Sequence, residues 1–214
     1  MFPSPFTSLY ILVALATTPS CTVAAPSEIS VETSLKLKRA TFDEDSCSER
    51  QQTVLKGVIK AADKQADESF LYIKTHKSGT KRYTTWYGEY TTQRYERVLK
   101  NWNKIASKGF NDYHYDCSDP PECDEGDGAI AFVDVDEFGT VYLCDAFWDA
   151  PLTGPETQVG SLIHETSHFE EIAGTEDHAR GDAENKKLAA SKPDDAIDNA
   201  DNYRSFAENH PHLT

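Results

Sequence analysis

The pentapeptide His164-Glu165-Thr166-Ser167-His168 constrains this 214-residue chain more than any other feature of its sequence. It matches the H-E-x-x-H pattern, which requires a helix so that residues i and i+4 project from one face. Imidazoles at that spacing can bind one zinc ion together, and the glutamate between them can take a proton from a water beside the metal. The pattern therefore predicts a helix with His164 and His168 as metal ligands and Glu165 as general base.

The residues around the pentapeptide carry helix signals of their own. Thr153 and Glu156 have the spacing of a capping box, and Pro155 stands where a first helical residue is expected. Gly174 follows the last expected turn. These signals predict a helix that begins at Pro155, with a core-facing side formed by Val159, Leu162, Ile163 and Thr166.

A catalytic zinc ion takes three protein ligands and keeps one position open, so a third ligand must follow. The metzincin pattern would place glycine at position 171 and histidine at position 174. This chain has Glu171 and Gly174 there, which excludes that class. Two carboxylates remain open as the third ligand from the residues alone. Glu184 can reach the metal from a second helix, and Asp177 can fold back after the turn at Gly174.

The charge balance excludes several other classes of protein. Lys and Arg total 21 against 36 Asp and Glu, which gives a formal net charge of −15. Such a negative field repels phosphate groups, so neither nucleic acid nor an anionic membrane surface is expected as a partner. With 38% hydrophobic and 11% aromatic residues, the chain has enough apolar side chains to form a globular core.

The first residues have the pattern of a targeting segment. Residues 9–25 are uncharged, mostly apolar or small, and end in a small-residue cleavage pattern. They predict a signal peptide over residues 1–25 and hence a secreted, extracellular protein. A membrane anchor is disfavoured, because Pro19 and several hydroxyl side chains interrupt a stretch that is already short for a span.

A dibasic pair predicts a second cleavage point. Lys38-Arg39 ends the polar stretch that follows the signal segment. A cut after this pair would leave residues 26–39 as a short pro-segment. The mature domain would then comprise residues 40–214.

The cysteines fit an oxidising compartment. Cys21 lies in the predicted signal segment, which leaves an even set of four. In a secreted protein these four are expected to form two disulfides, with three possible connectivities. A structural zinc site is disfavoured because the chain contains no C-x-x-C pair. The four cysteines are Cys47, Cys117, Cys123 and Cys144.

Hydrophobic periodicity indicates two further helices and a pair of strands. Apolar residues recur at helical spacing over residues 48–76, where Ser48 and Gln51 can form a capping box. A second helix is predicted over residues 91–106. The two strands, joined by a turn, are expected at Ala129–Val133 and Thr140–Leu143.

The region after the pentapeptide resembles a family signature. His164-Glu165-x-x-His168 followed by Gly174-Thr175-x-Asp177-x-x-x-Gly181 is similar to the motif of the aspzincin zinc peptidases, the deuterolysin family. The likeness is closest to the peptidyl-Lys metalloendopeptidase branch, which fungi secrete, and it covers essentially the whole chain from about Cys47 to Asn209. Further stretches that resemble this branch are Arg82–Trp86, Phe138–Cys144, Ala146–Trp148 and Asn199–Asn202.

The resemblance implies a fold, a metal site and a disulfide pattern. The implied fold is α+β and helix-rich, a zincin-like metalloprotease domain over residues 40–214 with a small antiparallel sheet and an active-site helix. One zinc ion would be bound by His164, His168 and Asp177, and Glu165 would be the general base. The disulfides of the family would correspond to Cys47–Cys117 and Cys123–Cys144.

Two positions depart from the family pattern. Arg180 stands where the family has a tyrosine that donates a hydrogen bond to the oxyanion of the tetrahedral intermediate. Arginine is also a donor and can take this catalytic role, unless it pairs with Asp182 or Glu176 instead. In the lysine-specific branch, an aspartate and a second acid three residues later bind the substrate lysine. Asp201 keeps the first of these substrate-binding positions, but Arg204 takes the second, where it can pair with Asp201 and repel a lysine.

These features predict a secreted zinc-dependent metalloendopeptidase. It would act as a monomer on peptide or protein substrates, without selecting lysine. The alternative is a non-catalytic zinc-binding protein of the same fold, for metal capture or surface interaction, because Arg180 and Arg204 alter the family's site. The intact Glu165 favours the enzyme, since a protein that only binds metal needs no general base.

Overall fold

The computed structural model describes residues 39–124 and 129–214. The predicted signal peptide, residues 1–25, lies outside these ranges, as does all of the predicted pro-segment except Arg39. Both stay predictions. Over the described ranges, no helix combines the length and the apolar character needed to cross a membrane.

Three helices make up the first half of the described chain. α1 spans Glu49–Thr75, α2 spans Lys81–Tyr87 and α3 spans Thr92–Lys108. α1 and α3 confirm the two helices predicted from periodicity, with ends that differ by no more than two residues. The predicted capping box begins α1, because Ser48 accepts from the Gln51 backbone while the Gln51 side chain accepts from Ser48 N at 2.9 Å. α2 is not indicated by the hydrophobic pattern.

Four short strands form one sheet. They are Thr41–Phe42 (β1), His114–Asp116 (β2), Ala131–Phe132 (β3) and Thr140–Leu143 (β4), in the order β1-β2-β4-β3. β1 and β2 pair in parallel, as do β2 and β4, and only β3 and β4 are antiparallel. The sheet is therefore mixed, whereas the family resemblance implied an antiparallel one. A parallel pair needs a long crossover, and α1 to α3 provide it between β1 and β2.

Five helices follow β4 and carry most of the candidate site. They are α4 (Asp145–Asp149), α5 (Gln158–His168), α6 (Asp182–Ser191), α7 (Pro193–Ala196) and α8 (Ala200–Glu208). α5 contains the H-E-x-x-H pentapeptide, as predicted.

α5 begins later than the sequence predicts. Its N-cap is Thr157, whose side chain accepts a hydrogen bond from Gly160 N at 2.8 Å. The predicted cap Thr153 and the predicted first residue Pro155 stay outside the helix. Glu156 has a φ of 53°, a left-handed conformation that interrupts any right-handed helix passing through it.

The core lies between α5, α1 and α8. The predicted core-facing side chains of α5 are all buried, namely Val159, Leu162, Ile163 and Thr166. α8 is held by aromatic side chains from α2 and α3. Trp102 Nε1 donates to Tyr87 Oη at 2.9 Å, and the rings of Trp102 and Tyr203 lie 5.5 Å apart. This packing fixes the orientation of α8, which carries Asp201 and Arg204.

Two disulfides brace the sheet. They join Cys47 to Cys117 and Cys123 to Cys144, the pairing that the family resemblance implied. The first ties the residue before the cap of α1 to the residue after β2. The second ties the 3₁₀ turn Pro121–Asp124 to the residue after β4.

Loss of the Cys47–Cys117 bridge is expected to destabilise the protein more than loss of the other bridge. A cross-link over 70 residues is expected to contribute about 4 kcal/mol through loop entropy. A cross-link over 21 residues is expected to contribute about 3 kcal/mol. Urea unfolding of Cys47→Ser/Cys117→Ser and of Cys123→Ser/Cys144→Ser measures both free energies of unfolding. A larger loss in the second pair would contradict the entropic argument.

Candidate active site

The three candidate site residues of the pentapeptide lie together on one face of α5. His164, Glu165 and His168 each offer a ligand-type atom, and these atoms all lie within 4.8 Å of one another. Each side chain keeps 13% of its exposure, so the cluster is mostly buried but still reachable from solvent. Helical geometry alone produces this grouping, as the sequence predicts.

Each imidazole is oriented by an acceptor at its Nδ1 atom. His168 Nδ1 lies 2.7 Å from the carbonyl oxygen of Thr175, so this nitrogen donates. His164 Nδ1 lies 3.4 Å from Asp201 Oδ1. The Nε2 atoms of both rings therefore face Asp177, at 3.3 Å for His164 and 3.7 Å for His168. Histidines that bind metals are commonly held in this way, because it fixes the tautomer.

Asp177 reaches the histidines because the chain reverses after α5. Gly174 has a φ of 55°, a left-handed conformation that favours glycine. Thr175 N then donates to Ser167 O at 3.2 Å, which turns the following residues back along the helix. Glu184, the other candidate third ligand, lies on α6 in an ion pair with an exposed lysine at 3.1 Å. The structure thus brings Asp177, and not Glu184, to the two histidines.

The residues present fit a zinc ion. The Nε2 atoms of His164 and His168 lie 3.3 and 3.7 Å from the two carboxylate oxygens of Asp177, and two imidazoles with one carboxylate are a donor set of catalytic zinc sites. His164, His168 and Asp177 would hold the ion.

The electrostatics of the cluster favour a positive charge at its centre. Burial raises the pKa of Glu165 to about 7. Burial lowers the pKa of His164, but the facing carboxylates, first among them Glu165, outweigh this effect and raise it to about 10. A hydrogen bond from His164 lowers the pKa of Asp177. Carboxylates outnumber imidazoles here, so a bound cation would stabilise the whole cluster.

A cleft of about 680 Å³ opens beside the cluster. Its walls come from α5, from β3 with the two residues before it, and from the loop that follows Asp177. β3 lies at the edge of the sheet. The cleft therefore combines the candidate metal ligands with a strand edge.

Arg180 lines this cleft with its side chain exposed. Its positive charge acts to lower the pKa of Glu165, although burial outweighs it. Among residues 39–124 and 129–214, no carboxylate forms an ion pair with Arg180. Asp182 pairs instead with a lysine and with Arg204. The pairing of Arg180 with Asp182 or Glu176, which the sequence left open, is therefore not formed.

Asp201 and Arg204 also line the cleft, but they are only 2% and 4% exposed. Arg204 Nη2 donates to Asp201 Oδ2 at 2.9 Å, the i, i+3 pair that the sequence predicts. A third group, Glu208, accepts from Arg204 Nη1 at 2.6 Å. These side chains bind one another and present little surface to a substrate.

Two further residues of this site, Glu208 and Asn199, were given no role from the sequence. Glu208 binds Arg204 and also accepts from Thr157 N at 2.8 Å. Its spacing of four residues from Arg204 on one helix is a signal that identifies such a pair. Asn199 accepts from two backbone N–H groups just after Asp177, at 2.7 and 3.0 Å, and so holds that loop. Asn199 belongs to the stretch Asn199–Asn202 that resembles the family, but no local pattern indicates its role, because its partners lie about twenty residues away.

A family model and several known proteins match the part of the chain that contains this site. Residues 72–208 match the aspzincin family, described as lysine-specific metallo-endopeptidase. A peptidyl-Lys metalloendopeptidase of Pleurotus ostreatus is 44% identical over 167 residues, which are 78% of this chain and 96% of that protein. A peptidyl-Lys metalloendopeptidase of Grifola frondosa is also 44% identical over 167 residues, which are 78% of this chain and 47% of that protein. The chain thus spans about half the length of the Grifola relative and nearly all of the Pleurotus one.

A solved structure supports the assignment of the fold. The zinc peptidase from Grifola frondosa superimposes with a TM-score of 0.74 at 43% identity, over 78% of this chain and 100% of that one. The helix-rich α+β, zincin-like fold that the resemblance implied is thereby confirmed, with a mixed sheet in place of an antiparallel one. The family match covers more than half of the sequence and includes the pentapeptide, Asp177 and Asp201. This chain therefore belongs to the aspzincin family of metallo-endopeptidases.

Proposed function

We propose that this protein is a secreted zinc-dependent endopeptidase that hydrolyses peptide bonds within proteins or peptides. The observation that carries the proposal is the convergence of His164, His168 and Asp177 beside Glu165 in an open cleft. Three ligands and a general base are the set that metal-assisted peptide hydrolysis requires. The activity named for the Pleurotus and Grifola relatives supports the same reaction.

In this proposal, His164, His168 and Asp177 hold one zinc ion. When bound, zinc polarises the scissile carbonyl and allows a water to act as nucleophile near neutral pH. Glu165 takes a proton from the water while the water oxygen attacks the carbonyl carbon. Glu165 then gives that proton to the departing amide nitrogen. The C–O bond forms and the C–N bond breaks, which leaves a new carboxyl terminus and a new amino terminus.

The edge strand offers a binding mode for the substrate. In the described part of the chain, β3 has only β4 as a strand partner. Ala131 and Phe132 of β3 line the cleft together with Glu165. An extended peptide can add to a free strand edge through backbone hydrogen bonds, whatever its side chains. Binding of this kind suits cleavage inside a chain.

Arg180 is proposed to donate a hydrogen bond to the oxyanion, in the role of the family's tyrosine. Replacing Arg180 with alanine should lower kcat by about 10²–10³-fold while zinc affinity stays unchanged, because one oxyanion donor is lost but no ligand. Arg180→Tyr serves as the comparison and should keep more activity than Arg180→Ala. A parental kcat in the alanine variant would show that Arg180 points away from the reacting carbonyl.

A digest of an unfolded protein by the zinc-loaded chain, analysed by mass spectrometry, tests the proposed function. We expect cleavage at internal bonds, loss of cleavage after chelation and recovery when zinc is returned.

The second candidate function is a non-catalytic zinc-binding protein, and the arginine at position 180 favours it. Zinc bound at full occupancy without cleavage of any sequence would establish that alternative.

Secretion and a monomeric state complete the proposal. The two disulfides are of the kind that persists in oxidising, extracellular compartments. The net charge of −15 disfavours nucleic acid as a partner. Size-exclusion chromatography with light scattering measures the oligomeric state, for which we expect one chain.

A further inference from the structure

A buried row of three charged side chains lies along α8. Asp201, Arg204 and Glu208 occupy positions i, i+3 and i+7, so they share one face of the helix. Arg204 binds Asp201 through Nε and Nη2, and it binds Glu208 through Nη1 at 2.6 Å. Asp182 lies 3.5 Å from Nη2. The guanidinium is thus held between carboxylates on both sides, with 5% of its side chain exposed.

The Asp201 end of this row contacts a candidate metal ligand. Asp201 Oδ1 faces His164 Nδ1 at 3.4 Å, while Oδ2 accepts from Gly181 N and Asn185 Nδ2, both at 2.7 Å. The acceptor at Nδ1 sets the tautomer and the ring orientation of a metal-binding histidine. A shift of Asp201 would therefore move the Nε2 lone pair of His164.

The Glu208 end binds the N-terminus of α5. Glu208 Oε1 accepts from Thr157 N at 2.8 Å and from Thr157 Oγ1 at 2.9 Å, and Oε2 accepts from Glu156 N at 3.1 Å. A carboxylate is favoured there, because the first N–H groups of a helix lack partners within it and the helix dipole is positive at that end. Arg204 is therefore linked, through two carboxylates, to both the start of α5 and one of its histidines.

Gly160 shows how closely this row packs against α5. A Cβ atom at Gly160 would overlap Glu208 Oε1 and lie 2.7 Å from Arg204 Cγ, so any side chain there would have to displace these two residues. Glycine is otherwise unfavourable within a helix. Its presence agrees with a charged row that is built into the contact between α5 and α8.

We propose that Arg204 is a positioning residue that also determines specificity: it fills an acidic pocket of the cleft from within the chain and holds His164 and α5 in place. The part of the inference that concerns specificity rests on the proposed function. Arg204 pairs with the acids Asp201 and Glu208, so neither is left to attract a cationic substrate side chain. The residue that enters this part of the cleft is therefore selected by shape and polarity, and not by positive charge.

Arg204→Ala tests both the positioning role and the effect on specificity, because it leaves the carboxylates of Asp201 and Glu208 facing an open space. We expect zinc affinity, measured by competition with a chelating dye, to fall about 10–100-fold, as is typical when a group that orients a ligand is lost. The melting temperature should fall as well. Ethylguanidinium should restore both zinc affinity and melting temperature, since it can enter the space and pair with the two acids. Cleavage should shift toward sites with lysine or arginine by about tenfold or more, because opposite charges attract strongly at a buried site.

Two controls separate this effect from general destabilisation. Ethylurea has the shape of ethylguanidinium without its charge and should restore nothing. Arg94→Ala removes an arginine that pairs with Asp194 at 2.7 Å and does not line the cleft, so it should keep parental zinc affinity and cleavage sites. Rescue by ethylurea, or equal loss of zinc in Arg94→Ala, would overturn the proposal.

Arg204→Lys covers the case in which the alanine variant does not fold. Lysine keeps the charge but lacks the planar fork that binds two carboxylates, so zinc affinity should still fall, by a smaller factor. Parental zinc affinity and parental cleavage sites in any folded Arg204 variant would overturn the proposal. Zinc affinity and ethylguanidinium rescue do not depend on turnover. If neither parent nor variant cleaves any peptide, the proposed function fails while these two measurements still decide the positioning role.

Discussion

Replacing Glu165 with glutamine should lower kcat by about 10²–10⁴-fold while zinc binding stays unchanged. Glutamine has the size of glutamate but cannot take a proton from the attacking water. The carboxylate is not required as a ligand, because the Nε2 atoms of His164 and His168 already converge with Asp177. Glu165 Oε1 lies 3.8 Å from His164 Nε2, beside the proposed ion.

The measurement is kcat on a peptide substrate together with the zinc content of each purified chain. Glu171→Gln is the matched control, since Glu171 is an exposed glutamate one turn beyond α5, and it should keep the parental kcat. Equal cleavage by Glu165→Gln and the parent would show that any activity comes from another source.

Replacing Asp177 with asparagine should lower zinc affinity by more than about 100-fold. Loss of a group that only orients a ligand typically costs about 10–100-fold, and loss of a ligand itself should cost more. Asparagine keeps the shape of aspartate but removes the negative charge and the stronger oxygen donor. The two imidazoles would then have to hold the ion without a third strong ligand. Activity should fall with zinc occupancy.

Competition with a chelating dye measures this loss, and the shift of melting temperature on adding zinc provides a second readout. Glu184→Gln is the control, because Glu184 is the other carboxylate that the sequence allows as third ligand. It should bind zinc as tightly as the parent. Zinc retained by Asp177→Asn but lost by Glu184→Gln would place the third ligand on α6.

Features that depend on near neighbours in the chain are predictable from the sequence. The box of Ser48 and Gln51 begins α1 because both of its hydrogen bonds close within three residues. The pair of Asp201 and Arg204 follows in the same way from the geometry of one helical turn.

The first residue of α5 cannot be predicted from its near neighbours in the sequence. Thr153 with Glu156, and Thr157 by itself, both have the side chains of a helix cap. Glu208, at 51 positions from Thr157 in the sequence, accepts from its N–H and hydroxyl groups and favours the later start. The parallel pair of β1 and β2 is not predicted for the same reason, because the whole of α1 to α3 separates these two strands in the sequence.

By itself, the sequence determined that His164, Glu165 and His168 share a helix face, since the helical repeat alone brings them together. Only the tertiary structure decided that Asp177 meets the two histidines while Glu184 stays on another helix, and that Arg204 lies between two buried carboxylates. These contacts depend on how the loop after α5 folds back and on how α8 packs against α5. That packing is the sum of many small contacts between segments far apart in the chain, and no local pattern of residues contains it.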